Sequence, residues 1–217
     1  MNLEESQLRA AFRFLTPNML LFWRLGFGWQ MANPVSGYIM VLATTGRKSG
    51  ERRLVPLNFA EDGDVICCLA GFGKTTHWLL NLQADPECEV WLPDGRRLGG
   101  RAQVVATEGR RIEMVREVLV RSGFAAKLAE PGVDPSTAPA DVIAELGPRP
   151  GHRYEVVEIE LGDDVVGHGG PGDVMWVWPG GGLMAVSYTH LTLPTTRSLC
   201  SCRGWGLGVW GGGGGGG

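Results

Sequence analysis

Cysteine is scarce in this 217-residue chain, with five in all, and two of those, Cys200 and Cys202, fall in a terminal stretch set aside below. The remaining Cys67, Cys68 and Cys88 are odd in number and come without a secretory leader. That excludes a disulfide scaffold, and a reducing, cytoplasmic setting is expected. Cys67 and Cys68 are neighbours on a predicted strand and point to opposite faces, so they cannot ligate one metal, and no metal is expected. Positive charge is also in short supply: 20 Lys and Arg stand against 23 Asp and Glu. An acidic balance argues against a nucleic-acid partner, which needs a broad basic face. Long apolar runs are missing too. The most apolar region, Leu8 to Met31, contains NMLLFWRLGFGW, but Arg9, Arg13 and Arg24 interrupt it and Pro17 breaks it. It falls short of the ~20 apolar residues a spanning helix needs. Two readings of residues 8–31 remain: a helix packed on the core or at a dimer contact, or one in peripheral contact with a membrane surface. No Ser–His–Asp or Cys–His pairing has catalytic spacing, so no catalytic residue is assigned.

From Val186 the chain reads VSYTHLTLPTTRSLCSCRGWGLGVWGGGGGGG, without apolar periodicity and ending in seven glycines, Gly211 to Gly217. A glycine-rich linker is one reading. A sharper one is that VSYTHLTLPTT resembles a transposase sequencing-library adapter translated in frame, with the glycines resembling a poly-G read. Residues 186–217 are therefore expected to be non-native and disordered, and His190 and the two cysteines go with them. Setting aside Arg197 and Arg203 leaves 18 basic against 23 acidic residues, a net charge of −5. Roughly 185 residues then make one core-forming unit, with a helical segment over 1–37 and the main domain over 38–185.

The main domain reads mostly as strands. YIMVLATT (38–45) ends at a glycine-bracketed turn, RRLVPLNFA (52–60) follows, and after EDGD comes VICCLAG (65–71), a three-stranded meander. TTHWLLNLQADP predicts a short helix that Thr75 or Thr76 can cap and that Asp85-Pro86 closes. CEVWL and RRLGGRAQVV form a second hairpin around PDG. Ile112, Val115 and Leu119 recur at helical spacing over 108–122, with Gly123 placed to end the helix. A proline- and alanine-rich loop and a short helix near Asp141–Leu146 lead to a last strand, HRYEVVEIEL. The fold class expected is mainly β with inserted helices (α+β), as a small antiparallel barrel.

The turn in TTGRKSGERR (44–53) holds the local exception to the acidic balance, with four positive side chains and one negative from Arg47 to Arg53. Gly46 and Gly50 would let backbone N–H groups converge on one concavity, the geometry that binds anions. Arg47 brings a planar fork, Lys48 a mobile point charge, Ser49 a hydroxyl, and Arg53 begins the next strand within reach. The constellation calls for a phosphate or a carboxylate; the plainer reading is a solvated hairpin tip. Trp78 either stacks on a ligand or, with Leu82 four residues on, faces the core. His77 and Asn81 share the opposite helix face, where His77 is a proton donor or simply solvated.

TTGRKSGERRLVPLNF, followed by GFGKTTHWLLNLQADPECEVW, resembles the deazaflavin-dependent nitroreductase family over about residues 20–161. The resemblance implies a split antiparallel β-barrel of the FMN-binding type that binds coenzyme F420. By position it implies that Arg47, Lys48, Ser49 and Arg53 hold the coenzyme's phosphate and oligoglutamate tail. It likewise implies that Leu54, Val55, Pro56 and Leu57 line the deazaflavin ring, that Cys68, Leu69, Ala70 and Gly71 pass beside it, and that the helix from His77 through Trp78 to Asn81 closes the site. The activity implied is hydride transfer from reduced F420 to a small apolar acceptor: a quinone, a nitroaromatic or an activated alkene. The protein would position ring and acceptor as a monomer or homodimer. One departure matters. Trp78 is followed by Leu79, where many relatives carry tyrosine. Alternatives are an FMN-binding split-barrel oxidoreductase of the pyridoxamine-phosphate-oxidase type and a non-catalytic deazaflavin carrier.

Overall fold

In the computed structural model of the chain, residues 5–33, 37–147 and 153–175 are described. The stretch read as adapter-like, 186–217, lies outside them. The chain opens with helix α1 (Glu5–Arg24), a 3-10 turn over Gly28–Met31 and the two-residue strand β1 (Ala32–Asn33). Then come β2 (Gly37–Thr45), β3 (Arg52–Asp62), β4 (Val65–Ala70), helix α2 (His77–Ala84), β5 (Glu87–Trp91) and β6 (Arg97–Val104). Helices α3 (Glu108–Arg121), α4 (Phe124–Ala129) and α5 (Ala140–Glu145) precede the last strand, β7 (Glu155–Asp164).

The strands run in the order β1-β2-β3-β4-β7-β6-β5, and β5 pairs back onto β2, so six antiparallel strands close a barrel with β1 as an appendage. Strand alternation sorts the side chains. Met40, Leu42, Phe59, Ile66, Cys68 and Val157 fill the interior, where α2 contributes Trp78, Leu79 and Leu82 as a plug. The intervening residues face outward under helices: Ala60, Cys67 and Val156 meet Val115, Leu119 and Ala126 of α3 and α4, while Val41 and Trp91 receive Trp23 of α1. The two adjacent cysteines thus belong to different cores. Burial pushes Cys67 and Cys88 up to about 12, and Cys68 higher still, so these thiols stay neutral and inert.

The barrel is not sealed all the way along. On one side β3 pairs with β2 from Arg52 to Asn58, but on the other it meets β4 only from Phe59 to Asp62. β4 meanwhile continues with β7 through Leu69 and Ala70. One edge of β3 from Leu54 to Asn58 is therefore without a strand partner, and the barrel splits there. Pro56 sits inside this half-free segment, where a strand best tolerates a residue lacking an N–H.

Two sequence expectations are corrected, and a further feature was not foreseen. The N-terminal helix, expected over 8–31, spans Glu5–Arg24 and gives way to a 3-10 turn before Met31; it runs through Pro17, which is exposed, so water can take up the carbonyl it frees. Part of the expected proline- and alanine-rich loop is instead helix α4. FAAKLA consists largely of good helix formers, and Gly123, at φ 55°, makes the bend that lets α4 follow α3 directly. Finally, the chain beyond β7 is packed on the fold. Val165 N–H donates to Arg97 O, Gly172 N–H to Trp23 O, and Val174 N–H to Arg24 O. Arg24 also makes a two-pronged ion pair with Asp173 at 2.9 and 3.0 Å. The segment straps α1 to the barrel. No helix among the described residues is long and apolar enough to cross a membrane.

Candidate coenzyme and acceptor site

The β2–β3 turn is built by Gly46. Its carbonyl accepts from Ser49 N–H at 3.1 Å and Gly50 N–H at 2.7 Å, and its own N–H donates to Glu51 O at 2.8 Å. Gly50 adopts φ 67°, and a Cβ on Gly46 would come within 2.9 Å of Ser49 Oγ, so both positions want glycine. This alters the reading of the turn as an amide cradle. The amides of Gly46, Ser49 and Gly50 are spent on closing the turn, and Arg47 N–H donates to Asn81 Oδ1 at 3.3 Å. The positive field comes from side chains.

Asn81 is the brace. Buried in α2, it accepts from the Arg47 guanidinium at 3.1 Å through the same Oδ1, and its Nδ2 donates to Thr44 Oγ1 at 3.2 Å. Sequence reasoning had Asn81 on the helix face beside the exposed His77. The structure turns it inward because a buried amide needs partners on both ends, and β2 and the turn supply them. Thr44 was not singled out from the sequence; its place opposite Asn81 exists only once the strand and helix pack.

Around this brace lies a cleft of about 450 Å³ whose lining includes Arg47, Lys48, Ser49, Arg53, His77 and Trp78. Among the described residues Arg47 has no carboxylate partner and Lys48 no ion pair; Arg53 pairs with the solvent-exposed Glu51 at 2.6 Å and donates to Ser49 Oγ at 3.4 Å. Such an exposed pair contributes little and yields easily to a ligand. Arg52, one residue away, behaves otherwise. It binds Glu89 and donates to Gly169 O at 2.7 Å, its guanidinium stacked 5.3 Å from the Trp91 ring centre. Alternation along β3 gives one arginine to the structure and leaves its neighbour at the cleft.

A second cavity, of about 330 Å³ and mostly apolar, lies at the split in the barrel. Its walls include Pro56, Leu57, Leu69 and Gly71 from the strands, Ala125 and Ala129 from α4, and Tyr154 just before β7. Val55 and Trp78 line both cavities, so the two adjoin across these residues. Leu54 lines the cationic cleft. Cys68 and Ala70 line neither; both are fully buried in the barrel interior, while Leu69 and Gly71 reach the apolar cavity, as strand alternation requires. Trp78 is packed in the barrel plug, as the core reading expects, and also lines each cavity. His77 stands in the cationic cleft and not in the apolar cavity. The α4 wall and Tyr154 went unremarked in the sequence, where only the small residues at 125, 126 and 129 hinted at a surface kept open.

The chain thus forms a split antiparallel β-barrel with a cation-lined cleft beside an apolar cavity. Residues 25–126 match the model of the F420H(2)-dependent quinone reductase family. Among solved structures, an F420-H2 dependent reductase (FDR-A) is 24% identical, with 56% of this chain and 93% of that one aligned at a TM-score of 0.39. A 5-nitroimidazole antibiotic resistance protein from Bacteroides thetaiotaomicron is 8% identical over 59% of this chain and 75% of that one, TM-score 0.41. A pyridoxamine 5′-phosphate oxidase from Listeria innocua is 13% identical over 59% and 86%, TM-score 0.38.

Proposed function

We propose that the protein is an F420-dependent reductase that passes hydride to a flat apolar acceptor, with a quinone as the leading class and nitroaromatics and activated alkenes as further members. The observation that carries this is a cleft lined by Arg47, Lys48 and Arg53 lying beside an apolar cavity, with Val55 and Trp78 shared by both. Reduced F420, when bound, supplies a two-electron hydride. Arg47, Lys48 and Arg53 would grip phosphate and carboxylates through charge-assisted hydrogen bonds, with Ser49 adding a hydroxyl. The free edge of β3 from Leu54 to Leu57 would present backbone groups to the polar edge of a ring lying in the split, with Leu69 and Gly71 across from it. The apolar cavity would hold the acceptor close to that ring and away from water, the positioning role expected of a protein around a redox coenzyme.

The reading takes residues 1–37 as an N-terminal helical segment and 38–185 as the coenzyme domain, in a protein that works in the cytoplasm as a monomer or homodimer. Phe14, Leu15 and Leu21 of α1 and the nearby Trp29 are exposed, a pattern that supports peripheral contact with a membrane where lipid-soluble acceptors dissolve. Trp23, fully buried on the same helix, gives α1 a packing role as well.

The test is titration of the purified protein with F420, followed by mixing with reduced F420 and a short-chain naphthoquinone. Saturable binding that weakens as salt is added, with oxidation of reduced F420 dependent on protein and quinone, is expected. Preferential retention of FMN, or F420 binding with no turnover across quinones, nitroaromatics and activated alkenes, would overturn it.

A further inference from the structure

Hydride delivery to a quinone leaves the acceptor one proton short of the hydroquinone, and the apolar cavity has few groups that could supply it. Tyr154 lines that cavity and is 5% exposed. Its hydroxyl donates to Glu130 Oε1 at 2.8 Å, across to the end of α4. Glu130 is only half-buried, so the carboxyl has solvent on one side and the phenol on the other. Solvent, carboxyl, phenol and cavity form an unbroken series.

We infer that Glu130 and Tyr154 form a two-residue proton path from solvent into the acceptor cavity, an assignment that rests on the reductase reading above. The balance is simple. The acceptor gains hydride from the reduced coenzyme; the Tyr154 O–H bond breaks as its proton passes to the acceptor oxygen; Tyr154 oxygen takes the proton of the Glu130 carboxyl; Glu130 is reprotonated from water. The net addition is two electrons and two protons, with the tyrosine and glutamate restored.

Burial acts on both groups toward the protonated form. It raises the Glu130 carboxyl above its ordinary value, against lowering by the Tyr154 hydroxyl and the Gly147 backbone. It is also the largest cause that raises the phenol of Tyr154, so the phenol does not ionise unaided. The charged side chains nearby face elsewhere. Arg153 is paired with Glu108 and Glu145, Arg111 with Glu108, Glu155 with Lys74 at 3.7 Å, and Lys127 bears on Asp134. A purely structural tie between α4 and β7 would explain the hydrogen bond but not its position between solvent and cavity.

The experiment compares the full chain with Tyr154→Phe and Glu130→Gln. In the coenzyme-free protein, infrared difference spectra against Glu130→Gln should show a protonated carboxyl at neutral pH. In turnover with reduced F420 and the naphthoquinone, Tyr154→Phe should lower kcat at least tenfold with F420 affinity within twofold of wild type. The solvent isotope effect should grow in Glu130→Gln, whose pH profile should also lose the fall in rate that wild type shows as pH rises through the Glu130 pKa. A missing carboxyl band, or variants with wild-type rates, isotope effects and pH profiles, would overturn the path while leaving the reductase intact. Failure of the wild type to bind or oxidise reduced F420 removes the reductase reading and, with it, the path.

Discussion

The two cavities that meet at Val55 and Trp78 are lined by opposite chemistries, and the contrast separates residues kept for a ligand from residues kept for the fold. In the cationic cleft Arg47 and Lys48 have no carboxylate partner among the described residues, and the one carboxylate paired with Arg53 among them is exposed Glu51. Arg52 and Arg97, outside that cleft, share Glu89 and the carbonyls of Gly167, His168 and Gly169. Both sets are arginine-rich; only one is saturated. A charge left without a partner inside a cleft is unfinished until an anion arrives, whereas a saturated one is already spent on structure. The apolar cavity repeats the lesson with volume. Ala125 and Ala129 leave open a space that larger residues would have filled.

Breaking the cationic side should have the largest effect. Arg47→Ala with Lys48→Ala removes charge-assisted hydrogen bonds that contribute about 1.5–3 kcal/mol each, so the F420 dissociation constant should rise on the order of a hundredfold or more. The salt dependence of binding should become shallower, and the rate at saturating coenzyme should change less than the affinity, because these groups grip the tail. A folded double variant with unchanged affinity would remove the anion site. Filling the apolar side should be milder and fall on the other substrate. Ala129→Leu should raise KM for the quinone about tenfold and leave F420 affinity near wild type; equal losses for both ligands would mean the cavities are not functionally distinct.

The saturated set answers to stability. Burial alone would raise the Glu89 carboxyl, but the hydrogen bonds from Arg97 and Trp91 and the charge of Arg52 outweigh it and hold the group below its ordinary value. A depressed carboxyl contributes stability that is full above the unfolded value of about 4.3 and is lost as pH falls through the folded one. Glu89→Gln should therefore lower Tm at pH 7 by about 4 °C or more and flatten the acid limb of the Tm-versus-pH curve, with F420 affinity unchanged. Smallest of all should be removal of 186–217, which should change neither Tm nor F420 binding. A loss in either would make that stretch part of the working protein. Cutting at 164 is the sharper contrast, since it removes Asp173 and the strap on α1.

The barrel was legible because its signals are local. Val, Ile and Leu alternation, the PDG and EDGD turns and the 3.6-residue spacing of Ile112, Val115 and Leu119 each carry their meaning within a dozen residues, and β2 to β7 fall within three residues of where the sequence places them. The cation cluster of the turn was legible for the same reason. Less visible was whatever depends on the far side of the chain: α4 inside an expected loop, and the strap after β7, whose glycines say nothing until Trp23 and Arg24 offer carbonyls to them.

By itself, then, the amino-acid order determined which segments alternate, where the turns fall and that positive charge gathers between Gly46 and Arg53. Those are consequences of backbone sterics and side-chain period, which act over a few residues. Tertiary structure alone decided that Arg53 is available while Arg52 is taken, that Asn81 turns inward to Thr44 and Arg47, and that Tyr154 reaches Glu130 beside a cavity. Each of those outcomes depends on which groups separated by 24 to 37 residues along the chain come within hydrogen-bond distance. Only the closing of the barrel and the packing of its helices sets that distance.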